Sequence, residues 1–371
     1  MNMKRSLILF AALAPVALPP GGGRPAGRPY LILFTALAAL VLPVCHGAFA
    51  WDYEGHRAVN QLALAALPQG FPAFVKTPEA RERIAFLAGE PDRWRNLGDE
   101  LPLAHFNGPD HYLDLENLED YGLTPEALPI FRYDFTAKLA LPRAAHPEKF
   151  PRIDPARNKD HTRELIGLAP WAITEYCGKL KSGFSYLKAF QDYGGTPEEI
   201  ANAQENIIYV MGVMGHYVGD CAQPLHVTKH HHGWVGDNPH GFATNSSFHA
   251  WIDGGFFRNT GGIKVGPLSG KIRPAKIVGD PTKPDDLFKQ VMAYLLETHK
   301  QVEPLYQLEK EHKLSPENEK SGGGRALLEG QLVKGGQMLG DLWFSAWQQA
   351  TEDKYLIRNL TERKAANAEK K

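Results

Sequence analysis

The stretch that decides the fold is Met211–His226, MGVMGHYVGDCAQPLH. It continues an apolar run (Ile207, Ile208, Val210, Met211, Val213, Met214, Val218) whose spacing is that of a helix buried on most sides. His216 and Asp220 stand four apart in that run and so share one helical face. Burying an imidazole and a carboxylate is costly unless something satisfies them. Pro224 cannot continue the helix and pushes Gln223 out of helical geometry, so the chain turns and carries His226 toward the same place. Three side chains of ligand type converge from one short stretch. The competing reading is a core histidine oriented by its aspartate.

Working outward, the organising helix is expected over about Pro197–Gly219, preceded by helices over Leu165–Cys177 and Leu180–Phe190. After His226 comes a polar loop, 228–247, whose run His230, His231, His232 reads as solvated. Phe248–Asp253 then sets His249 and Asp253 four apart. A segment without periodicity, Gly261–Pro284, leads to helical patterns around Leu287–Tyr306 and Ala326–Ala350, and the charged tail after Asp353 reads as frayed. Toward the amino terminus, Trp51–His56 leads into a helix stopped by Leu67-Pro68, and Pro78–Leu87 reads as a second. Glu90–Arg95 reads as a loop with acids and arginines. Pro109–Glu116 is a short ordered segment, and 117–160, rich in Pro and charge, an excursion over the surface. Strand signals are scarce and no internal repeat is present. The expectation is an all-α, single-domain fold with its site gathered between helices and loops.

The first fifty of the 371 residues read as an export segment. Lys4 and Arg5 precede one apolar run, Leu7–Leu18; a second, Tyr30–Val44, ends at Ala48-Phe49-Ala50, an A-x-A cleavage pattern. Cleavage before Trp51 makes the protein secreted or periplasmic, with a domain over 51–352 and a tail over 353–371. It removes four of the 41 basic residues and none of the 42 acidic ones, leaving a charge of about −5. That excludes a basic duplex-binding face, so affinity for a phosphate ester must come from local charge such as metal ions. Cys45 leaves with the segment; Cys177 and Cys221 remain, and an exported setting permits a disulfide without requiring one. No stable protein partner is implied, and a monomer is expected.

The ligand types in order are the amine of Trp51, His56, Asp92, His111, His216, Asp220, His226, His249 and Asp253. Imidazole and carboxylate without thiolate suit zinc, and a carboxylate can bridge two ions. With these residues in this order, the chain resembles the superfamily of the secreted S-one/P-one single-strand nucleases and zinc-dependent phospholipases C. The matching segments are Trp51…His56, Asp92, His111-Tyr112-Leu113-Asp114, the H-x-x-x-D-x-x-Q-P-x-H core His216–His226, and His249…Asp253. The resemblance implies a trinuclear zinc site. One ion takes Asp92, His111, His216 and Asp220; a second takes His226, His249 and Asp253. The third takes the amine and carbonyl of Trp51, His56 and the other oxygen of Asp220. It also implies that Asp114 and Arg95 orient the attacking water or steady the phosphate, and that Tyr112 stacks a base.

Two positions depart from the nuclease pattern. Ile252 precedes the last aspartate where tryptophan is usual, and Gly254 replaces a polar residue. The function expected is hydrolysis of phosphodiesters, either single-stranded DNA or RNA to 5′-phosphates or, as the alternative, phospholipids. A zinc-binding module without activity is the reading from another class. No serine or cysteine nucleophile signature is present.

Overall fold

The computed structural model describes residues 51–317 and 323–369; the expected export segment, its cleavage pattern and Cys45 lie outside the described residues. The chain is all-α. In order come α1 (Tyr53–Ala66), α2 (Pro78–Leu87), α3 (Glu90–Arg95), α4 (Leu101–Asn107), α5 (Arg132–Ala145), α6 (Ala169–Tyr193) and α7 (Pro197–Asp220). They continue with α8 (Ser247–Ala250), α9 (Phe256–Asn259), α10 (Val265–Ser269), α11 (Asp286–His299), α12 (Val302–Lys310), α13 (Gly323–Gln348) and α14 (Lys354–Ala368). Among the described residues the β pairing is a single bridge, Leu113 with Gly167.

Local chemistry sets the long helices. Asp52 caps α1 by accepting from the Gly55 amide at 3.3 Å, and Pro68 follows its end. A capping box starts α7: Thr196 accepts from the Glu199 amide, Glu199 accepts from the Thr196 amide, and Pro197 opens the first turn. Helix α1 then packs on α13 and against α2 and α7, while α6 lies along α7. Close approach depends on missing side chains. A Cβ at Gly215 of α7 would overlap the Asn60 amide oxygen, and one at Gly336 of α13 would overlap Leu62. Into that closeness buried Asn60 donates to the carbonyls of Ile84 and Gly212, at 2.8 and 3.0 Å. Val59, Leu62, Leu339 and Trp343 are fully buried at these contacts, each large apolar side chain contributing roughly 1.5–3 kcal/mol.

Several expectations are corrected. Leu165–Cys177 and Leu180–Phe190 are not two helices: α6 runs through Gly178, because Cys177, Leu180 and Phe184 all bury into the core on either side of it. Conversely, the pattern around Leu287–Tyr306 breaks into α11 and α12. Glu90–Arg95 is helical, with Pro91 in its first turn. The excursion 117–160 contains α5, anchored where Phe135 stacks on Trp171 at 4.2 Å and Arg132 pairs with Asp110 at 2.9 Å. The tail is not frayed either. Asp353 caps α14, Leu360 is buried, and Arg363 pairs at 2.8 Å with Glu199, the residue that closes the α7 capping box. Cys177 and Cys221 are free thiols, both buried.

Candidate metal centre

The expected side-chain ligands come from seven elements. The last turn of α7 supplies His216 and Asp220, and α1, held close by Gly215 and Gly219, supplies His56. Asp92 comes from α3, His111 from a 3-10 turn (Gly108–His111), and His226 from another (Pro224–His226). His249 ends in α8, and Asp253 lies in a π-helical turn, Trp251–Gly255, a form often found at functional sites. The segments lock one another. His226 donates from Nδ1 to the His111 carbonyl at 2.8 Å, the Leu113 amide donates to the His226 carbonyl at 3.0 Å, and the Asp114 amide donates to Ile166 at 2.8 Å. Gly167 is required opposite: its φ is 103° and a Cβ would strike the Tyr112 carbonyl.

Three buried groups able to hold metal ions result: Asp92, His111 and His216; His56, His216 and Asp220; and His226, His249 and Asp253. In the first two, His111 Nδ1 is 2.9 Å from His216 Nε2 and 3.0 Å from Asp220 Oδ2, and His216 Nε2 is 3.3 Å from Asp220 Oδ2 and 3.8 Å from Asp92 Oδ1. His56 Nε2 lies 3.4 Å from Asp220 Oδ1. In the third, His249 Nε2 is 3.0 Å from His226 Nε2 and 3.1 Å from Asp253 Oδ2. Asp220 thus addresses two groups with its two oxygens. Trp51 is fully buried one turn before His56, and the next residue's amide donates to the Asp253 carbonyl at 2.9 Å, so its backbone lies beside these groups.

Hydrogen bonding alone does not account for this packing. His216 donates from Nδ1 to the Ala88 carbonyl at 2.7 Å and His226 from Nδ1 to His111, so both present an Nε2 lone pair inward. His249 Nδ1 is buried without a hydrogen-bond partner, as are Asp220 Oδ1 and Asp253 Oδ2. Either tautomer of His249 therefore leaves a buried nitrogen unpaired. A tetrahedral zinc with bonds of about 2.0–2.1 Å places its ligand atoms roughly 3.3 Å apart, the spacing found here. His111 differs. Its Nε2 faces the Asn107 amide nitrogen at 3.1 Å, which the Pro91 carbonyl fixes at 2.7 Å, so the ring carries its proton on Nδ1 toward Asp220. An ion at that nitrogen displaces this proton.

The electrostatics agree with the donor set. Burial, reinforced by neighbouring positive charge, drives His111, His216 and His249 well below the usual imidazole range, and His226 to about 3. They are neutral, as ligands must be. Burial raises Asp220 and Asp253 well above the carboxylate range and Asp92 to about 6, the last despite its 2.8 Å pair with Arg95. Bound cations reverse that penalty.

Arg95, Tyr112 and Asp114 line, with His111, His226 and His249, a cleft of about 670 Å³. Its far wall comes from the 117–160 excursion, where Arg143 bonds the Tyr121 hydroxyl at 2.8 Å and lies over Phe150. That segment therefore closes the site rather than passing over the surface. The histidine run is corrected too. His230 is buried and stacked on Trp234, while His231 and His232 line the cleft. His231 Nδ1 lies 3.4 Å from Asp114 and 3.2 Å from the Thr228 carbonyl. Gln223, inside the motif but not singled out, donates to Asp253 Oδ1 at 2.6 Å and accepts from the Leu225 amide, fixing turn and ligand together. Gly254 is a packing requirement: a side chain there would overlap Asp52, the cap of α1. No protein-family model matches the chain, and no curated protein matches its sequence.

Proposed function

We propose that the protein is a zinc-dependent phosphodiesterase of the kind its motifs resemble, with single-stranded nucleic acid as the leading substrate and three zinc ions held by the three groups. The observation that carries the reading is the meeting of converged imidazoles and carboxylates with a cleft that also holds Arg95, Arg143 and Arg163. One holds electrophiles; the other attracts phosphates. The imidazole and carboxylate donors would hold the ions as His226, His249 and Asp253 at one site and Asp92, His111, His216, Asp220 and His56 across the rest, with Trp51 beside them. When bound, the ions supply charge against the phosphate oxygens and acidify the attacking water.

The chain's own residues do the rest. Arg95, oriented by Asp92, steadies the phosphate in this reading, and Leu225 and Ile166 exclude water from the floor of the cleft. Asp114 and His231 form the proton-handling pair. Burial pushes Asp114 up, and His231, which burial alone would lower, is held above its usual range by Asp114. With Nδ1 directed at Asp114 and Thr228, the imidazole keeps Nε2 for the substrate. Tyr112 offers a ring for a base.

Phospholipase C action is the second reading, favoured by exposed Leu101 and Phe106 on α4 and Leu97 just before it. Three guanidinium groups in the cleft weigh against a cationic head group and for a polyanion. Side-by-side assays on single-stranded DNA, RNA and phosphatidylcholine, with metal analysis and with a chelator, decide. Hydrolysis of nucleic acid that stops on chelation and returns with zinc is expected. Absence of metal, or metal without hydrolysis of any of the three, would overturn the proposal.

A further inference from the structure

We propose that the groove between α4 and the 154–164 loop is a flanking subsite that holds a single-stranded polynucleotide beyond the linkage at the metal centre. The inference rests on the proposed function and specifies where the substrate continues. The groove, about 430 Å³, is lined by Leu101, Ala104, Arg157 and Lys159 and shares Arg95 and Tyr112 with the main cleft. The two volumes therefore meet at those residues. From Arg143 and Arg163 through Arg95 to Arg157 and Lys159, positive charge lines both. In a chain carrying as many acids as bases, that concentration is local.

Arg157 and Lys159 are exposed, and neither enters an ion pair among the described residues. One acid, Asp160, also lines the groove and accepts from the Thr162 hydroxyl at 3.1 Å, so the basic side chains there, Arg95, Arg157 and Lys159, outnumber the acid. The loop is also held in shape. Buried Asn158 donates to Glu164 at 2.7 Å and accepts from the Arg163 amide at 3.0 Å, Asp154 accepts from the Ala156 amide at 3.0 Å, and the His105 ring bonds the Asp160 carbonyl at 2.7 Å. Cations on a locked loop cost little ordering entropy when they bind. Leu101, Ala104 and Tyr112 give the groove an apolar side on which a base can lie, and charge beside a stacking surface is what single strands require. A flexible strand can follow a groove into a cleft; a planar bilayer would meet only the rim.

The test uses the zinc-loaded protein and a labelled phosphorothioate oligothymidylate of about ten nucleotides, which resists hydrolysis and matches the usual span of such sites. Arg157→Ala/Lys159→Ala changes two exposed side chains. It should weaken strand binding by about 5–20-fold and reduce the slope of log affinity against log salt by about 1.4, the value for two single-strand phosphate contacts. Hydrolysis of a thymidine dinucleotide, too short to reach the groove, should stay within about twofold. Unchanged strand affinity and slope would overturn the inference while leaving the proposed function standing. Equal loss on the dinucleotide, or a loss confined to anionic phospholipid vesicles, would overturn it as well. If the zinc-loaded unmodified protein cleaves neither the dinucleotide nor an ordinary phosphodiester oligothymidylate, the proposed function itself fails and the subsite falls with it.

Discussion

Two buried polar pairs share one spacing and opposite fates. On α7, His216 and Asp220 stand four apart; on α13, Gln337 and Asp341 do the same. Along α13 every contact is complementary. Gln337 accepts from the Arg273 amide at 2.8 Å and donates to Asp341 at 2.9 Å, Asp341 accepts from the Lys276 amide at 3.0 Å, and Ser345 accepts from the Val278 amide at 2.7 Å. That ladder clamps the strap of residues 273–278, and it is finished. On α7 the pair itself is mismatched: the His216 Nε2 lone pair faces Asp220 Oδ2 at 3.3 Å, and Asp220 Oδ1 has no hydrogen bond at all. Both pairs are buried and share one periodicity. The direction of the donors and acceptors separates structural polarity from a group able to hold a metal ion.

The strongest way to break the comparison is at Asp220. Asp220→Asn should lose more than one zinc per chain by elemental analysis, because both oxygens are engaged in different groups, and His249→Ala should lose mainly one. The activity lost at Asp220 should be roughly 10³-fold, the equivalent of several kcal/mol of electrostatic stabilisation. Without metal, Asp220→Asn should be no less stable than the unmodified protein at pH 8, since burial disfavours the charged aspartate. Equal single-ion losses from the two variants would show that Asp220 does not bridge.

Asp341→Leu should do the reverse. It strands the Lys276 amide and the Gln337 side chain, so chemical denaturation should report a loss of about 2–4 kcal/mol with zinc content unchanged. Metal loss there would mean the two pairs are not independent.

The comparison sharpens at His231, which lines the cleft beside Asp114 and belongs to none of the three groups. His231→Ala should reduce kcat by about 10²-fold with KM little changed and remove one limb of the pH–rate profile. A change in KM alone, with the profile intact, would make His231 a mere wall of the cleft.

The smallest effect belongs to Glu116, a satisfied carboxylate near the same loop. Burial would raise it, but bonds from His299, Thr228 and the Lys229 amide outweigh burial and hold it at about 2. A folded pKa below the unfolded one contributes stability that is present above about 4.5 and lost as pH falls toward 2. Glu116→Gln should therefore cost about 2 kcal/mol at pH 7, and its difference from the unmodified protein should shrink across that window. A constant difference from pH 7 to pH 3 would place the effect in packing instead of charge.

Much of the site was legible because its chemistry is local. His216, Asp220, Gln223 and His226 fall within one helix end and turn, and His249 and Asp253 within one turn more. His231 was not legible. Three consecutive histidines in a polar loop look solvated, and what buries His230 and turns His231 inward is Trp234, Tyr306 and Asp114. The wall formed by Tyr121, Arg143 and Phe150 was hidden for a related reason: proline and charge mark a segment as irregular and say nothing of what it covers.

The sequence by itself determined the all-α class, most helix positions and the candidate ligand types, because apolar period, caps and prolines act over a few residues. Tertiary structure decided the rest. It brought His56 and Asp92 to Asp220 through glycine-lined helix contacts, joined Cys177 and Leu180 into one helix, and gave α14 its anchor on Glu199. Above all it aimed the lone pairs. Whether two buried polar groups face a partner or each other depends on segments more than 100 residues apart, as His111 and Asp220 are, and no local pattern encodes that direction.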